Sequence, residues 1–233
     1  MSWQHRIYHL PLRILFRLSS MCFVPKWLLE FGNKPQACVA YQFGAAHHLP
    51  RRTKGKKSRS IRRPEPSNPR YGVAVEQIVS AQLFLIPNIS GFLTSQSFWG
   101  CTPFMYHVSN YFYVHIMRDL SLSETLLAKE ALENLMSQAG QTVKHNQCDN
   151  GRFSDNGFID VINQKDQNIN ICGVGSHQHN GIVKNKIKIL TNSARTLLLC
   201  GIIMCPQIID KIFWPFALKA ITKRLNILQI YHK

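Results

Sequence analysis

CDNGRFSDNGFID at residues 148–160, and GVGSHQHNGIVKNKIKILTNSARTLL at residues 173–198, are the stretches on which the fold turns. Residues 142–148 read as a strand that ends directly at Asp149. A short helix over 158–162 follows, then a further strand over 169–174. Beyond Gly181 the pattern becomes helical, in two stretches over about 182–200 and 207–227. Gly201 and Pro206 mark the break between them.

Working outward from there, GVAVEQIV at 72–79 alternates like a strand. Residues 104–108 and YFYVHIM at 111–117 are aromatic and β-branched, the composition of strands, with a turn at Ser109-Asn110. Ser121 followed by Glu124 is a capping-box signature for a helix. Leu122, Leu126, Ala131, Leu132 and Leu135 supply its apolar spacing, and Gly140 stands where a C-terminal capping glycine belongs. Three strands, helix, strand, short helix, strand and two helices describe an α/β domain. Its natural form is a mixed five-stranded sheet with helices on both faces, the RNase H-like arrangement.

The domain fills residues 71–233. Residues 1–48 form a small helical module, and residues 49–70 a basic, proline-containing linker. From 51 to 63 the linker has eight basic residues in thirteen: Arg51, Arg52, Lys54, Lys56, Lys57, Arg59, Arg62 and Arg63. Such a run cannot bury itself, so it reads as extended and solvated.

Lys and Arg total 28 against 12 Asp and Glu, a formal +16, and 45% of residues are apolar. That apolar share excludes wholesale disorder, and the charge points to polyanionic partners such as DNA. The cysteines number seven, scattered and without a C-x-x-C pair. They imply a reducing compartment, nucleus or cytoplasm, rather than a disulfide framework. No apolar run approaches the roughly 18 residues of a membrane-spanning helix, so no membrane partner is expected. The first acid is Glu30, with Arg6, Arg13, Arg17 and Lys26 before it. A mitochondrial presequence is therefore the alternative for residues 1–29.

The two opening stretches resemble the core of copia-type retrotransposon integrases. In that family a strand ends in D-N-G-x-[EF]-x-[ST], then come H-x-x-N-G-x-x-E and a helix with A-R-T-[ML]-L. WPFALKAITKRLN at 214–226 is similar to the W-x-x-A-x-x-x-A-x-x-x-x-N helix of the same family. Upstream, WQHRIYHLP and ACVAYQFGAAHH are similar to the gag-pre-integrase module, where W-H-x-R-L-G-H and C-x-x-C-x-x-G-K bracket a zinc site. The resemblance runs from Trp3 to about Leu228.

It implies DNA integration by strand transfer, as part of a Pol polyprotein. Three carboxylates would hold two Mg²⁺ or Mn²⁺ ions, about 3.5–4 Å apart in two-metal sites. The implied positions here are Glu76, where the family has Asp, then Asp149, and Lys184 in place of the third carboxylate. An ammonium cannot ligate Mg²⁺, which takes oxygen donors. The expectation is thus a degenerate, catalytically inactive copy in which Glu76 and Asp149 are the metal ligands that remain. The resemblance further implies Zn²⁺ at a residual site with His9 and Cys38, weakened because Tyr41 replaces its last Cys. It also implies DNA contacts from His177, Asn180 and Gly181, and a homo-oligomer.

Plainer readings stand beside these. Asp-Asn-Gly is a common turn tripeptide, and Glu76 on a strand can simply face solvent. Lys184 can be an exposed helix lysine, and His177 and Asn180 polar loop residues. For the whole chain the competing function is a non-catalytic, basic nucleic-acid-binding protein that retains the RNase H-like fold. Response to divalent metal separates the two.

Overall fold

The structure, a computed structural model, describes residues 12–20, 25, 27, 38–45, 72–87, 93–172 and 181–230. The elements in chain order are α1 (Leu12–Ser20), α2 (Val39–Ala45), β1 (Gly72–Val75), β2 (Ile78–Pro87), β3 (Leu93–Tyr106) and β4 (Phe112–Met117). Then come α3 (Leu122–Gln138), β5 (His145–Cys148), α4 (Asn156–Gln164), β6 (Asn168–Ile171), α5 (Gly181–Met204) and α6 (Trp214–Ile230). Two compact units are present. One joins Met1–Pro50 with Thr191–Asp210; the other comprises Arg51–Leu190 and Lys211–Lys233.

In the larger unit all the strands form one mixed sheet. β1 lies antiparallel to β3, and β4 continues the sheet beyond β3. On its other side β1 is parallel to β5, and β5 is parallel to β6. β1 and β2 are one strand in pairing terms. Val73 faces Tyr106, Ala74 faces Met105 and Val75 faces Phe104, and the same register resumes at Ile78 opposite Cys101. The Glu76 N–H bridges the gap by donating to the Pro103 carbonyl at 3.3 Å. Counted so, the six segments fill five positions, ordered β4, β3, β1 with β2, β5, β6. With α3, α4 and α6 packed on this sheet, the RNase H-like α/β fold is the one that forms.

The core explains the pattern. Val73, Val75, Phe104 and Tyr106 share one sheet face with Ala128, Leu132 and Met136 of α3 and with Phe158 and Ile162 of α4. Phe153 closes that cluster, edge-on to Phe158 at 5.4 Å between ring centres. Ala74 and Met105 alternate to the opposite face and are just as buried, as a sheet covered on both sides requires.

Helix α3 begins as its sequence signature indicates: the Ser121 side chain accepts from the Glu124 N–H. The box is only half closed, because Glu124 Oε2 accepts from the Arg118 N–H instead. Gly140 adopts φ +67°, the left-handed conformation that makes glycine the fitting residue after a helix.

Other expectations need correcting. The second strand spans Leu93–Tyr106 rather than 104–108, and Val108 lies in the turn that Asn110 completes at φ 55°. The buried stripe of α3 is Thr125, Ala128, Lys129, Leu132 and Met136, whereas Leu127 on the same helix is exposed. Gly201 does not end a helix. It lies inside α5, and a Cβ there would come within 3.0 Å of Ile209 Cγ2, so glycine serves close packing.

Continuity through Gly201 also changes the membrane arithmetic. Val183–Met204 is long and apolar enough to cross a membrane, by length and composition only. Three lysines, Lys184, Lys186 and Lys188, occupy its first turns, and Val183, Leu190 and Ala194 are fully buried.

In the smaller unit the described parts of the N-terminal segment are chiefly α1 and α2. His9, one of the two residues expected at the residual zinc site, lies outside the described residues, as does the basic run 51–63.

Candidate functional site

Parallel strands present their carboxyl ends side by side, and here that geometry sets two acids together. Gly72, Val73 and Ala74 pair with His145, Asn146 and Gln147. Carried two residues on, the same register puts Glu76 opposite Asp149, each just past the end of its strand segment. Asp149 is fixed by its own turn: Oδ1 accepts from the Asn150 N–H at 2.9 Å, and its carbonyl accepts from the Gly151 N–H at 2.9 Å.

The third participant arrives from α5. Lys184 sits in the first turn of that helix, with Nζ 3.5 Å from Asp149 Oδ2 and 3.8 Å from Glu76 Oε2. Glu76 is 16% exposed, against 33% for each of the others. The structure therefore brings Glu76, Asp149 and Lys184 into one cluster at the carboxyl ends of β1 and β5, in the interior of the strand order.

Electrostatics follow from this geometry. Burial works to raise the Asp149 carboxyl, but the Asn150 N–H, a hydrogen bond with the Glu76 side chain and the Lys184 ammonium outweigh it. The result lies below the usual carboxylate range. Cys172 sits beside the same group. Burial pushes its thiol up; the Asp149 and Glu76 charges add to that, and Lys184 and a Gln147 hydrogen bond oppose it. Cys172 follows the end of β6, where its N–H donates to the Cys148 carbonyl at 2.9 Å.

This donor set does not fit a pair of divalent ions. Two carboxylates and an ammonium sum to a formal charge of −1, and the ammonium stands within ion-pair distance of both acids. A cation placed between the carboxylates would meet Lys184 there. Among the described residues, no group of three or more His, Cys, Asp or Glu side chains gathers in a way that could hold a metal ion.

The remaining expected site residues are placed as follows. Gly181 opens α5. Cys38 immediately precedes α2 and is half-buried, and Tyr41 on that helix is exposed. His177, Asn180 and the eight basic residues Arg51, Arg52, Lys54, Lys56, Lys57, Arg59, Arg62 and Arg63 lie outside the described residues, with His9.

Three features had no place in the reading of the sequence. Asn226 of α6 accepts from the Phe112 N–H through Oδ1 at 2.8 Å and donates to the Phe112 carbonyl through Nδ2 at 2.7 Å. It is the final residue of WPFALKAITKRLN, so its position was available but not its role. The second is a cleft of about 1080 Å³ with Tyr106, Tyr111, Tyr113, Lys219 and Lys223 in its walls. The third is buried Lys129, which donates to Glu133 at 2.5 Å and to Gln167 at 2.7 Å. Nothing in an apolar pattern points to a buried lysine.

No protein-family model matches the chain, and no curated protein matches it. Solved structures of similar fold are retroviral integrase catalytic cores. That of HTLV-2, in complex with magnesium, is 15% identical with a TM-score of 0.45, over 67% of this chain and 84% of that one. The BIV integrase catalytic core is 12% identical with a TM-score of 0.42, over 65% and 82%. Both likenesses concern architecture.

Proposed function

We propose that the chain is a copia-type, retrotransposon integrase-like protein that has lost strand transfer and retains nucleic-acid binding. The observation that carries the proposal is the position of Lys184 Nζ, 3.5 Å from Asp149 and 3.8 Å from Glu76. An integrase of this kind needs three acids converging on divalent ions. Here the convergence is present and the third member carries the opposite sign. Glu76 in place of Asp adds a methylene and displaces the remaining oxygens by about 1 Å, which is costly in a positioned site.

DNA binding rests on the formal +16 and on the eight basic residues of 51–63. Such binding is sequence-independent and weakens with salt, because released counterions drive it. The division into a gag-pre-integrase-like module, a basic linker and a catalytic core, the nuclear or cytoplasmic location and the homo-oligomer belong to the same reading. They are supported by the motifs from Trp3 to about Leu228.

The test is a strand-transfer assay on a labelled DNA end, with Mg²⁺ or Mn²⁺ titrated. It compares the natural chain with a Lys184→Glu, Glu76→Asp double variant. The natural chain is expected to be inactive at every metal concentration, and the variant to gain metal binding and joining. Joining by the natural chain would overturn the proposal.

A further inference from the structure

The cleft of about 1080 Å³ lies within the larger unit and is lined by β4, the end of α3 and α6. It is away from the Glu76–Asp149 pair. Tyr106 in its wall is the register partner of Val73, near the start of β1, whereas Glu76 follows the end of that strand.

Two kinds of side chain meet in it. Tyr111, just before β4, and Tyr113 within it are two residues apart, so they fall on one face of the strand. Both are half-buried and packed against the core, which leaves part of each ring open. The Tyr113 ring is braced by Phe104, its register partner on β3, at 6.2 Å between ring centres. Lys219 and Lys223 stand on α6, one turn or about 6 Å apart, and both are exposed. No Asp or Glu is among the described residues that line the cleft, and α6 carries none along its length.

The occupant has to use both features. An apolar ligand would leave two ammonium groups without a counter-charge, and a free phosphate would leave the rings idle. A nucleobase joined to phosphates uses both: the base lies on an aromatic face and the phosphates meet the lysines. In a duplex the base faces are closed by stacking on each other, whereas a single strand presents them.

We propose that this cleft binds single-stranded nucleic acid, with bases stacked on Tyr111 and Tyr113 and neighbouring phosphates on Lys219 and Lys223. The site rests on the nucleic-acid binding proposed above but uses residues other than those of 51–63. Stacking of this kind is tolerant of sequence, because every base has a π-face. No side chain of the acid cluster takes part.

The experiment measures fluorescence anisotropy of labelled oligo(dT), oligo(U) and a duplex with the full chain, across salt concentrations. Binding of either single strand is expected, and the tighter of the two identifies the sugar. Tyr111→Ala and Tyr113→Ala should each weaken single-strand binding by about 5- to 150-fold, the range for loss of one base–aromatic stack. Tyr111→Phe keeps the ring and should bind as the natural chain does. Lys219→Gln with Lys223→Gln should lower the single-strand salt slope by about 1.4. Duplex binding should be unchanged in the tyrosine variants, which also shows that they fold. In the natural chain, an iodouracil-substituted strand should photocrosslink to Tyr111 or Tyr113, and to the same residues when Arg51, Arg52, Lys54 and Lys56 are all replaced by Gln. Crosslinks confined to other residues overturn the proposal, as does natural single-strand affinity in both alanine variants. Loss of the crosslink as protein concentration rises assigns the cleft to a second copy of the chain and overturns it too. Duplex binding without single-strand binding refutes the cleft alone, whereas binding of neither probe refutes the broader nucleic-acid reading with it.

Discussion

Glu76 and Asp149 stand at matching positions just past the ends of neighbouring parallel strands, and one ammonium, Lys184 Nζ, lies 3.8 Å from the first and 3.5 Å from the second. Two acids so placed repel when both are ionised, unless a cation intervenes. In this chain the cation is covalently attached, as Lys184. Lys184→Met keeps the length of the stem and removes the charge. The Asp149 carboxyl is then expected to titrate at a higher pH than in the natural chain. Carbon-detected NMR of the aspartate carboxyls measures it. An unchanged Asp149 titration would mean that Lys184 does not act on the acid pair.

Acid sensitivity follows from two carboxyls whose folded values lie below their ordinary ones, Asp149 and Glu133. For Glu133, burial raises the value, but Lys129, Lys165 and Gln167 outweigh it. A carboxyl depressed in the folded state stabilises above its unfolded value, and the contribution disappears as pH falls through the folded value. Urea midpoints are therefore expected to hold from neutral pH down to about 5 and to drop below about 4. Glu133→Gln should flatten that acid limb, and an unaltered slope would remove Glu133 from the account.

Removal of either partner of the Lys129–Glu133 pair is predicted to have unequal effects. Lys129 is 2% exposed, and burial holds its ammonium below the usual lysine range. Glu133→Ala strips the buried cation of its anion, at a cost on the order of 3 kcal/mol. Lys129→Met leaves Glu133 with Lys165 at 2.6 Å and Gln167 at 2.6 Å, and replaces the stem with apolar volume. Its expected cost is below about 1.5 kcal/mol. Equal losses in urea unfolding would contradict the asymmetry.

Gly100→Ala tests the pairing of β2 with β3. The added Cβ would lie 2.2 Å from the Ile78 carbonyl oxygen, a backbone atom that cannot rotate away. A loss of about 2 kcal/mol or more is expected, the scale of overpacking with backbone displacement. Thermal unfolding indistinguishable from the natural chain would show that the strands part easily there.

Neutralising Arg51, Arg52, Lys54 and Lys56 together should weaken DNA binding at low salt. The slope of log affinity against log salt should fall by about 3 to 4, if each residue neutralises one phosphate. Fluorescence anisotropy across salt concentrations reads both effects. An unchanged slope would place the DNA contacts elsewhere on the chain.

The elements with local signals were the ones legible in the sequence. The strand ending at Asp149, the Ser121 cap and the Gly140 turn each depend on a few adjacent residues, and each is where its residues indicate. The long reach of β3 back to Leu93 was not legible. Its pairing with β2 is set by long-range register rather than by an alternating pattern in LTSQSFWG. The buried stripe of α3 escaped for a related reason. A lysine neutralised by Glu133 and hydrogen-bonded to Gln167 packs inside as an apolar residue would, and hydropathy cannot foresee its partners. At the candidate site Glu76, Asp149 and Lys184 could be named from the sequence as positions, whereas the approach of the Lys184 ammonium to 3.5 Å from Asp149 and 3.8 Å from Glu76 required the fold.

The clamp of Asn226 on Phe112 has a consequence for self-association. β4 lies at the margin of the sheet, where an outward-facing N–H and C=O would otherwise be a template for a strand from another molecule. The side-chain amide fills both positions, imitating one residue of a neighbouring strand without being a strand. Its single carboxamide thus works as a stopper against strand addition at that point. A chain that lost it would gain a route to edge-to-edge aggregation while its core remained intact.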